Sequence, residues 1–293
     1  MQTQLALIGF GEAGSTFAAT GGWAGHACAF DILPVRGQTM IELGVRCAQS
    51  ARDALADAPL ALSLVTADQA LPAARAAAPF LMPGALWCDM NSVAPETKRA
   101  AAAAIEAAGG RYVDVAVLAP VNPARMAVPL LLAGAAANEA AIALQGLGFA
   151  NVRVVGDDVG RASAIKMIRS VMVKGIEALT DEMMAAARAA GVEDEVLASL
   201  DASEKVQPWA ARAAYNHERM TIHGARRAAE MEESARTLLS LGVAPVMTRA
   251  TVYRQRQAAQ DNPPPFASSE VETLRADVSP SLDANGHRKI KQA

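Results

Sequence analysis

Aromatic side chains are scarce in this chain: three Trp, three Tyr and six Phe among 293 residues, or 4%. An interior with so few rings must be filled by aliphatic side chains and alanine. The 52% hydrophobic content supplies them, so closely packed helices are expected. Cysteine is nearly absent too. Cys28, Cys47 and Cys88 are odd in number and far apart, which fits buried thiols in a reducing compartment and not a disulfide framework or a zinc site. Of the four histidines, His217 and His223 stand six apart, the wrong spacing for two ligands on one helix face, and no metal is expected. Positive charge is not in excess: 27 Lys and Arg against 30 Asp and Glu give a net charge of −3, which argues against a nucleic-acid surface as the main role. No apolar run reaches the length of a bilayer span and no basic leader precedes the first strand-like stretch, so a soluble cytoplasmic protein is expected.

What is present begins at Leu5-Ala6-Leu7-Ile8, an apolar run that breaks into Gly9-Phe10-Gly11-Glu12-Ala13-Gly14 and then turns helix-like. With a strand before and a helix after, Gly9 permits the tight turn, Gly11 lets backbone approach a pyrophosphate, and Gly14 lets helix and strand pack closely. The phosphates of a dinucleotide would sit at the helix N-terminus, where free N–H groups and the dipole favour negative charge. His26 to Asp31 reads as the next strand. Asp31 falls about twenty residues past the glycines, where a carboxylate accepts hydrogen bonds from a ribose and opposes a 2′-phosphate, which favours NAD over NADP. Two features leave this open: Arg36 is near enough to swing toward a phosphate, and Asp31 can instead cap the loop before Pro34.

Further strands are expected at Leu60–Val65, Ala85–Asp89, Arg111–Ala116 and Ala127–Ala133, with helices at Glu12–Thr20, Asp68–Ala78 and Pro95–Ala108 between them. That rhythm predicts an α/β fold: a Rossmann-type, doubly wound, mostly parallel sheet whose ligands bind beyond the carboxyl ends of its strands. Gly9 to Gly14, Val65-Thr66-Ala67, Asn91-Ser92 and the segment after Asp114 should therefore converge. Past Gly156-Asp157-Asp158-Val159-Gly160 the pattern turns helical. Ile165, Ile168, Met172, Ile176, Leu179 and Met183 recur at helix spacing, predicting one long helix over 162–190. Helices are then expected at Val192–Leu200, Ser203–Arg219, Thr221–Leu241 and Pro245–Ala259. The expected domains are a dinucleotide-binding domain over 1–159, an all-α substrate and dimerisation domain over 160–260, and a loosely ordered tail over 261–293.

Four motifs together resemble the β-hydroxyacid dehydrogenase family, which includes 3-hydroxyisobutyrate and 6-phosphogluconate dehydrogenases. They are the glycine loop; Asp89-Met90-Asn91-Ser92-Val93-Ala94-Pro95-Glu96-Thr97; Gly156 through Lys166; and Glu230-Met231 with Leu241-Gly242-Val243-Ala244-Pro245. The run from Lys166 to Leu179 is most similar to a phosphogluconate-dehydrogenase-like branch of unassigned substrate. The resemblance implies an NAD(P)-dependent dehydrogenase or reductase, with Asn91 and Ser92 beside the nicotinamide and Lys166 as general acid and base. At lysine's ordinary pKa of about 10.4 that role would need desolvation to lower it.

Two departures bear on substrate. Where the family carries a small polar cradle, this chain has Val117-Leu118-Ala119-Pro120, with no hydroxyl and, at Pro120, no N–H; a less polar or bulkier substrate is implied. Ser170 stands where the family has asparagine, preceded by Arg169, an anion-binding candidate. In the helical region His223, Arg226 and Glu230 share a face at three- and four-residue steps. They are either an ion-pair network or a source of substrate contacts from His223 and Arg226. The other functional readings are an imine reductase of similar fold and a non-catalytic dinucleotide-binding regulatory module. A homodimer through residues 160–260 is the expected assembly.

Overall fold

The computed structural model describes residues 5–203 and 206–259; the 261–293 segment expected to be loosely ordered lies outside them. The chain opens with β1 (Leu5–Ile8), α1 (Glu12–Gly21), β2 (Ala27–Phe30), α2 (Arg36–Glu42), β3 (Arg46–Cys47), α3 (Ala51–Leu55), β4 (Leu60–Ser63) and α4 (Ala70–Ala77). It continues with β5 (Leu86–Asp89), α5 (Pro95–Ala107), β6 (Arg111–Val117), the short turn α6 (Val121–Ala124), β7 (Leu130–Ala133), α7 (Ala137–Gly146) and β8 (Val152–Gly156). The strands form one sheet in the order β3-β2-β1-β4-β5-β6-β7-β8. Every pairing is parallel except β6 with β7.

Helices cover both faces of the sheet, so β1 is apolar along its whole length, and β4 and β5 are apolar up to Ser63 and Asp89 at their last positions. Along β1, Leu5 and Leu7 join one core with Phe10, Phe17 and Phe149, while Ala6 and Ile8 join the other with Trp87 and Tyr112. Scarce aromatics are concentrated here: Phe17 meets Phe149 edge-on at 4.9 Å, and Trp23 Nε1 donates to the Leu147 carbonyl at 3.0 Å. Burial pushes the thiols of Cys28 and Cys88 up to about 11 and about 12, so neither is a thiolate at neutral pH. The strand order reverses between β1 and β4, which opens a crevice at their carboxyl ends.

Four helices follow: α8 (Arg161–Ala190), α9 (Glu193–Ser203), α10 (Trp209–Ser240) and α11 (Val246–Ala258). The chain divides into two compact units, one running through Val173 and the other starting at Lys174, so the division falls inside α8. The two helices expected over 203–219 and 221–241 run together as α10, which begins only at Trp209 after Pro208, because Met220 between them breaks nothing. The stop at Gly242 is real, with φ +74 after the last turn. Within the second unit α10 and α11 pack along each other, and Glu182 closes the start of α11. Its carboxylate accepts from Met247 N (2.7 Å), Thr248 N (2.9 Å) and Thr248 Oγ1 (2.6 Å). No helix among the described residues is long and apolar enough to cross a membrane.

Candidate functional site

Three backbone requirements shape the loop after β1. Gly9 has φ +95, and a Cβ there would lie 2.6 Å from the Leu64 carbonyl oxygen, so only glycine fits between β1 and β4. A Cβ on Gly14 would come within 2.9 Å of the Gly9 oxygen, which fixes the close contact of helix and turn. At Gly11 nothing lies within 4 Å; it faces open space at the start of α1. The carboxylate of Asp31 accepts from Phe10 N at 2.7 Å and from Leu33 N at 2.8 Å. Asp31 thus braces the glycine loop and caps the turn after β2, and each oxygen keeps a further acceptor direction. Gly9, Gly11, Asp31, Arg36, Val65 and Thr66 line a cavity of about 490 Å³ at the sheet's switch point. Of the other expected cofactor residues, Phe10 is buried beneath the loop, Glu12 is exposed on the first turn of α1, Ala13 is half-buried, and Ala67 opens the turn after Thr66.

Beneath the far side of this crevice lies a buried ionic cluster. Asp89 ends β5, Asp114 lies in register beside it within β6, and both are fully buried. Lys98, on the inward face of α5 with Ala101, Ala102 and Ile105, is also 0% exposed. Its ammonium donates to the Asp89 carbonyl (2.6 Å) and Oδ1 (2.9 Å) and lies 3.5 Å from Asp114 Oδ1. Tyr112 donates its hydroxyl to Asp89 Oδ2 at 2.6 Å; burial first, and then the Asp89 charge, push that phenol far above its ordinary range and keep it a donor. Asp114 Oδ2 accepts from Gly160 N (3.1 Å) and Ser163 N (3.0 Å), so a sheet carboxylate caps α8. Asp89 Oδ1 also accepts from Asn91 N at 2.9 Å, while Asn91 Nδ2 donates to Ser63 Oγ. The cluster thus holds two segments at once: the Asn91-Ser92 loop and the first turn of α8.

Those two segments meet at Lys166, whose Nζ donates to Ser92 Oγ at 2.5 Å. Lys166 is half-buried and one turn past Ala162 and Ser163, which are buried against the sheet. Arg169 Nη1 donates to the Leu118 carbonyl at 3.3 Å, tying α8 to the end of β6 beside Val117 and Ala119. Ser170 spends its proton on the Lys166 carbonyl of its own helix at 2.9 Å. The loop 117–119 is half-buried and offers no side-chain hydroxyl or charge.

His223 and Arg226 belong to the second unit, exposed on α10, with Arg226 paired to Glu230 at 2.9 Å along the helix. The residues missed by the sequence reasoning are Lys98, Tyr112, Ser163 and Ser63. Lys98 had a signal: a lysine set three and four residues before Ala101 and Ala102, in the apolar stripe of α5, must be buried and must find carboxylates.

Sheet order, glycine geometry and the acid after β2 define an NAD(P)-binding Rossmann domain of the dehydrogenase and reductase type. Residues 4–156 match the family model described as the NAD binding domain of 6-phosphogluconate dehydrogenase, and residues 187–258 match a domain of unknown function. The chain belongs to that NAD-binding family. A conserved hypothetical protein from Sinorhizobium meliloti 1021 of known structure is 38% identical, with 92% of each chain covered and a TM-score of 0.59. A second conserved protein of unknown function, whose structure was described as similar to 3-hydroxyacid dehydrogenases, is 31% identical over 87% of this chain and 96% of its own, TM-score 0.58. An imine reductase from Myxococcus stipitatus in complex with NADP+ shares the fold at 20% identity, over 89% of this chain and 95% of its own, TM-score 0.73.

Proposed function

We propose that the protein is an NAD(P)-dependent oxidoreductase acting on the alcohol or carbonyl carbon of a hydroxyacid-like substrate, with Lys166 as proton donor and acceptor. The observation that carries this reading is the Lys166–Ser92 contact at 2.5 Å, made by two segments that the buried Lys98–Asp89–Asp114 cluster fixes. The residues fit a dinucleotide. Gly11 leaves open space at a helix N-terminus, Asp31 keeps acceptor capacity for a ribose, and Asn91 Oδ1 is a buried acceptor with no hydrogen-bond partner among the described residues. The bound nicotinamide supplies or accepts the hydride. In the reducing direction the Lys166 ammonium donates to the carbonyl oxygen, and in the oxidising direction neutral Lys166 takes the hydroxyl proton, with Ser92 Oγ fixing where Nζ stands. A lysine in this position favours alcohol chemistry over imine reduction.

Asp31 favours NAD over NADP, because a 2′-phosphate would face a carboxylate already committed to the loop. The lining at Val117, Leu118 and Ala119 favours a substrate with an apolar portion, and Arg169, bonded to the Leu118 carbonyl, is a cation beside that loop for an acidic group. The test is NADH and NADPH oxidation against a panel of aliphatic and aromatic oxoacids, aldehydes and ketones. Turnover with NADH supports the assignment; tight NADH binding with no turnover in either direction would leave a regulatory binding module instead.

The proposed assembly is a homodimer. Along α8, Ile168 and Val171 are 73% and 75% exposed, and Met172, Ile176 and Leu179 continue the apolar strip. So much apolar surface on one long helix fits an interface between copies.

A further inference from the structure

We propose that the helical unit carries a second ligand site, a pocket between α10 and α11 that binds a small oxyanion bearing a hydroxyl group. On α10, Asn216, Met220, Gly224 and Arg227 recur at three- and four-residue steps and so share one face. A Cβ on Gly224 would lie 2.2 Å from the Gln255 carbonyl oxygen, so the two helices touch backbone to backbone there, and α11 sets the Gln255 side chain, 6% exposed, beside that face. Next to this crossing is a cavity of about 230 Å³ lined by Tyr215, Asn216, Arg219, Met220, Arg227 and Gln255. Its lining holds two guanidinium groups and no carboxylate. Arg219 Nη1 donates to the Tyr215 hydroxyl at 2.8 Å, and its guanidinium lies over the tyrosine ring at 5.4 Å, which orients its fork.

The chemistry of the occupant follows from two atoms. Arg227 Nε is a buried donor and Gln255 Oε1 a buried acceptor, and neither has a hydrogen-bond partner among the described residues. Buried polar groups are nearly always satisfied, so an unmatched donor and acceptor on two residues that line one cavity call for a guest that accepts from the first and donates to the second. The guanidiniums require it to be an anion. Sulfate only accepts. Hydrogenphosphate and short hydroxycarboxylates both accept and donate, and the cavity volume suits groups of that size and not a dinucleotide. All six lining residues belong to the second unit, so the site does not depend on the catalytic reading above.

The test is calorimetric titration of the full chain, with NADH in excess to occupy the glycine-loop anion position, using phosphate, sulfate, lactate and propionate as probes. The expected result is saturable binding of phosphate or lactate, with sulfate and propionate weaker by about tenfold, the worth of one charge-assisted hydrogen bond. Binding of phosphate alone assigns a phosphoryl ligand, and binding of lactate alone a hydroxycarboxylate. Arg219→Gln, an exposed change that leaves the helix contact intact, and Gln255→Met should each weaken that binding by about tenfold. No heat with any of the four anions, equal binding of sulfate and phosphate, or unchanged affinity in both variants would overturn the proposal.

Discussion

Replacing Lys98 with methionine removes the cation that lies between two carboxylates that are themselves 0% exposed. Methionine matches the stem in volume, so packing changes little and the loss is electrostatic. Asp89 keeps its bonds from Asn91 N and Tyr112 Oη, and Asp114 keeps those from Gly160 N and Ser163 N. Asp114 Oδ1, however, has only the ammonium at 3.5 Å to face and no hydrogen bond of its own. Removing one partner of a buried pair costs about 3–5 kcal/mol, a large part of the roughly 5–15 kcal/mol that holds a domain folded. For a unit of this size the expected fall in melting temperature is about 10 °C. Thermal unfolding followed by the fluorescence of buried Trp87 measures it. Adding Asp89→Asn to Lys98→Met should restore part of the loss, with a coupling of about 1 kcal/mol or more in the double-mutant cycle. A Lys98→Met melting temperature within about 2 °C of the parent would refute the buried cluster as the element that holds the site.

Other outcomes follow from the same geometry. Gly9→Ala meets both a positive φ and the Leu64 carbonyl at 2.6 Å; it should lower stability by about 1–3 kcal/mol and weaken dinucleotide binding, as unfolding and NADH titration would show. Glu182 is pushed up by burial, but the Thr248 hydroxyl and the N–H groups of Met247, Thr248 and Val246 outweigh that and hold it below its ordinary value. A carboxyl lowered on folding contributes stability above its unfolded pKa of about 4.3 and loses that contribution as pH falls through the folded value. The melt of the helical unit should therefore drop in acid, and Glu182→Gln should be less stable at pH 7 with a flatter acid response; equal acid slopes would contradict this. Light scattering behind size-exclusion chromatography should give twice the chain mass at micromolar concentration, and Ile168→Glu with Val171→Glu should shift it to the monomer; a monomeric parent would remove the dimer.

Much of the first unit was legible because each of its signals is local. Leu5 to Gly14 contains strand, turn and helix start in one stretch, and Asp31 falls where the next strand must end. β3 and β8 escaped notice because two residues, or five flanked by loops with an exposed Arg153, carry no period to read. The sequence suggests two helices where α10 is one, because its N-terminal half is exposed nearly all round and shows no buried stripe; the first buried position is Gly224. The site itself was half legible. The family resemblance points to Lys166 and the Asn91-Ser92 loop, which a hydrogen bond joins in the structure. Their support was not legible, because Lys98, Asp89 and Asp114 are joined only by strand register, which pairs Asp89 with Asp114 across 25 residues. Ser170 stands where the resemblance expects asparagine, and no sequence pattern reveals that its hydroxyl donates back to the Lys166 carbonyl.

Lys166 is the hinge of the functional account, and Lys166→Ala tests it most directly. Its ammonium reaches Ser92 from a helix fixed elsewhere, so removing it leaves the glycine loop and its cavity untouched. The account predicts NADH affinity within about twofold of the parent and single-turnover hydride transfer slower by about 10²–10⁴ with the best carbonyl substrate. Hydride transfer at the parent rate in Lys166→Ala would contradict it.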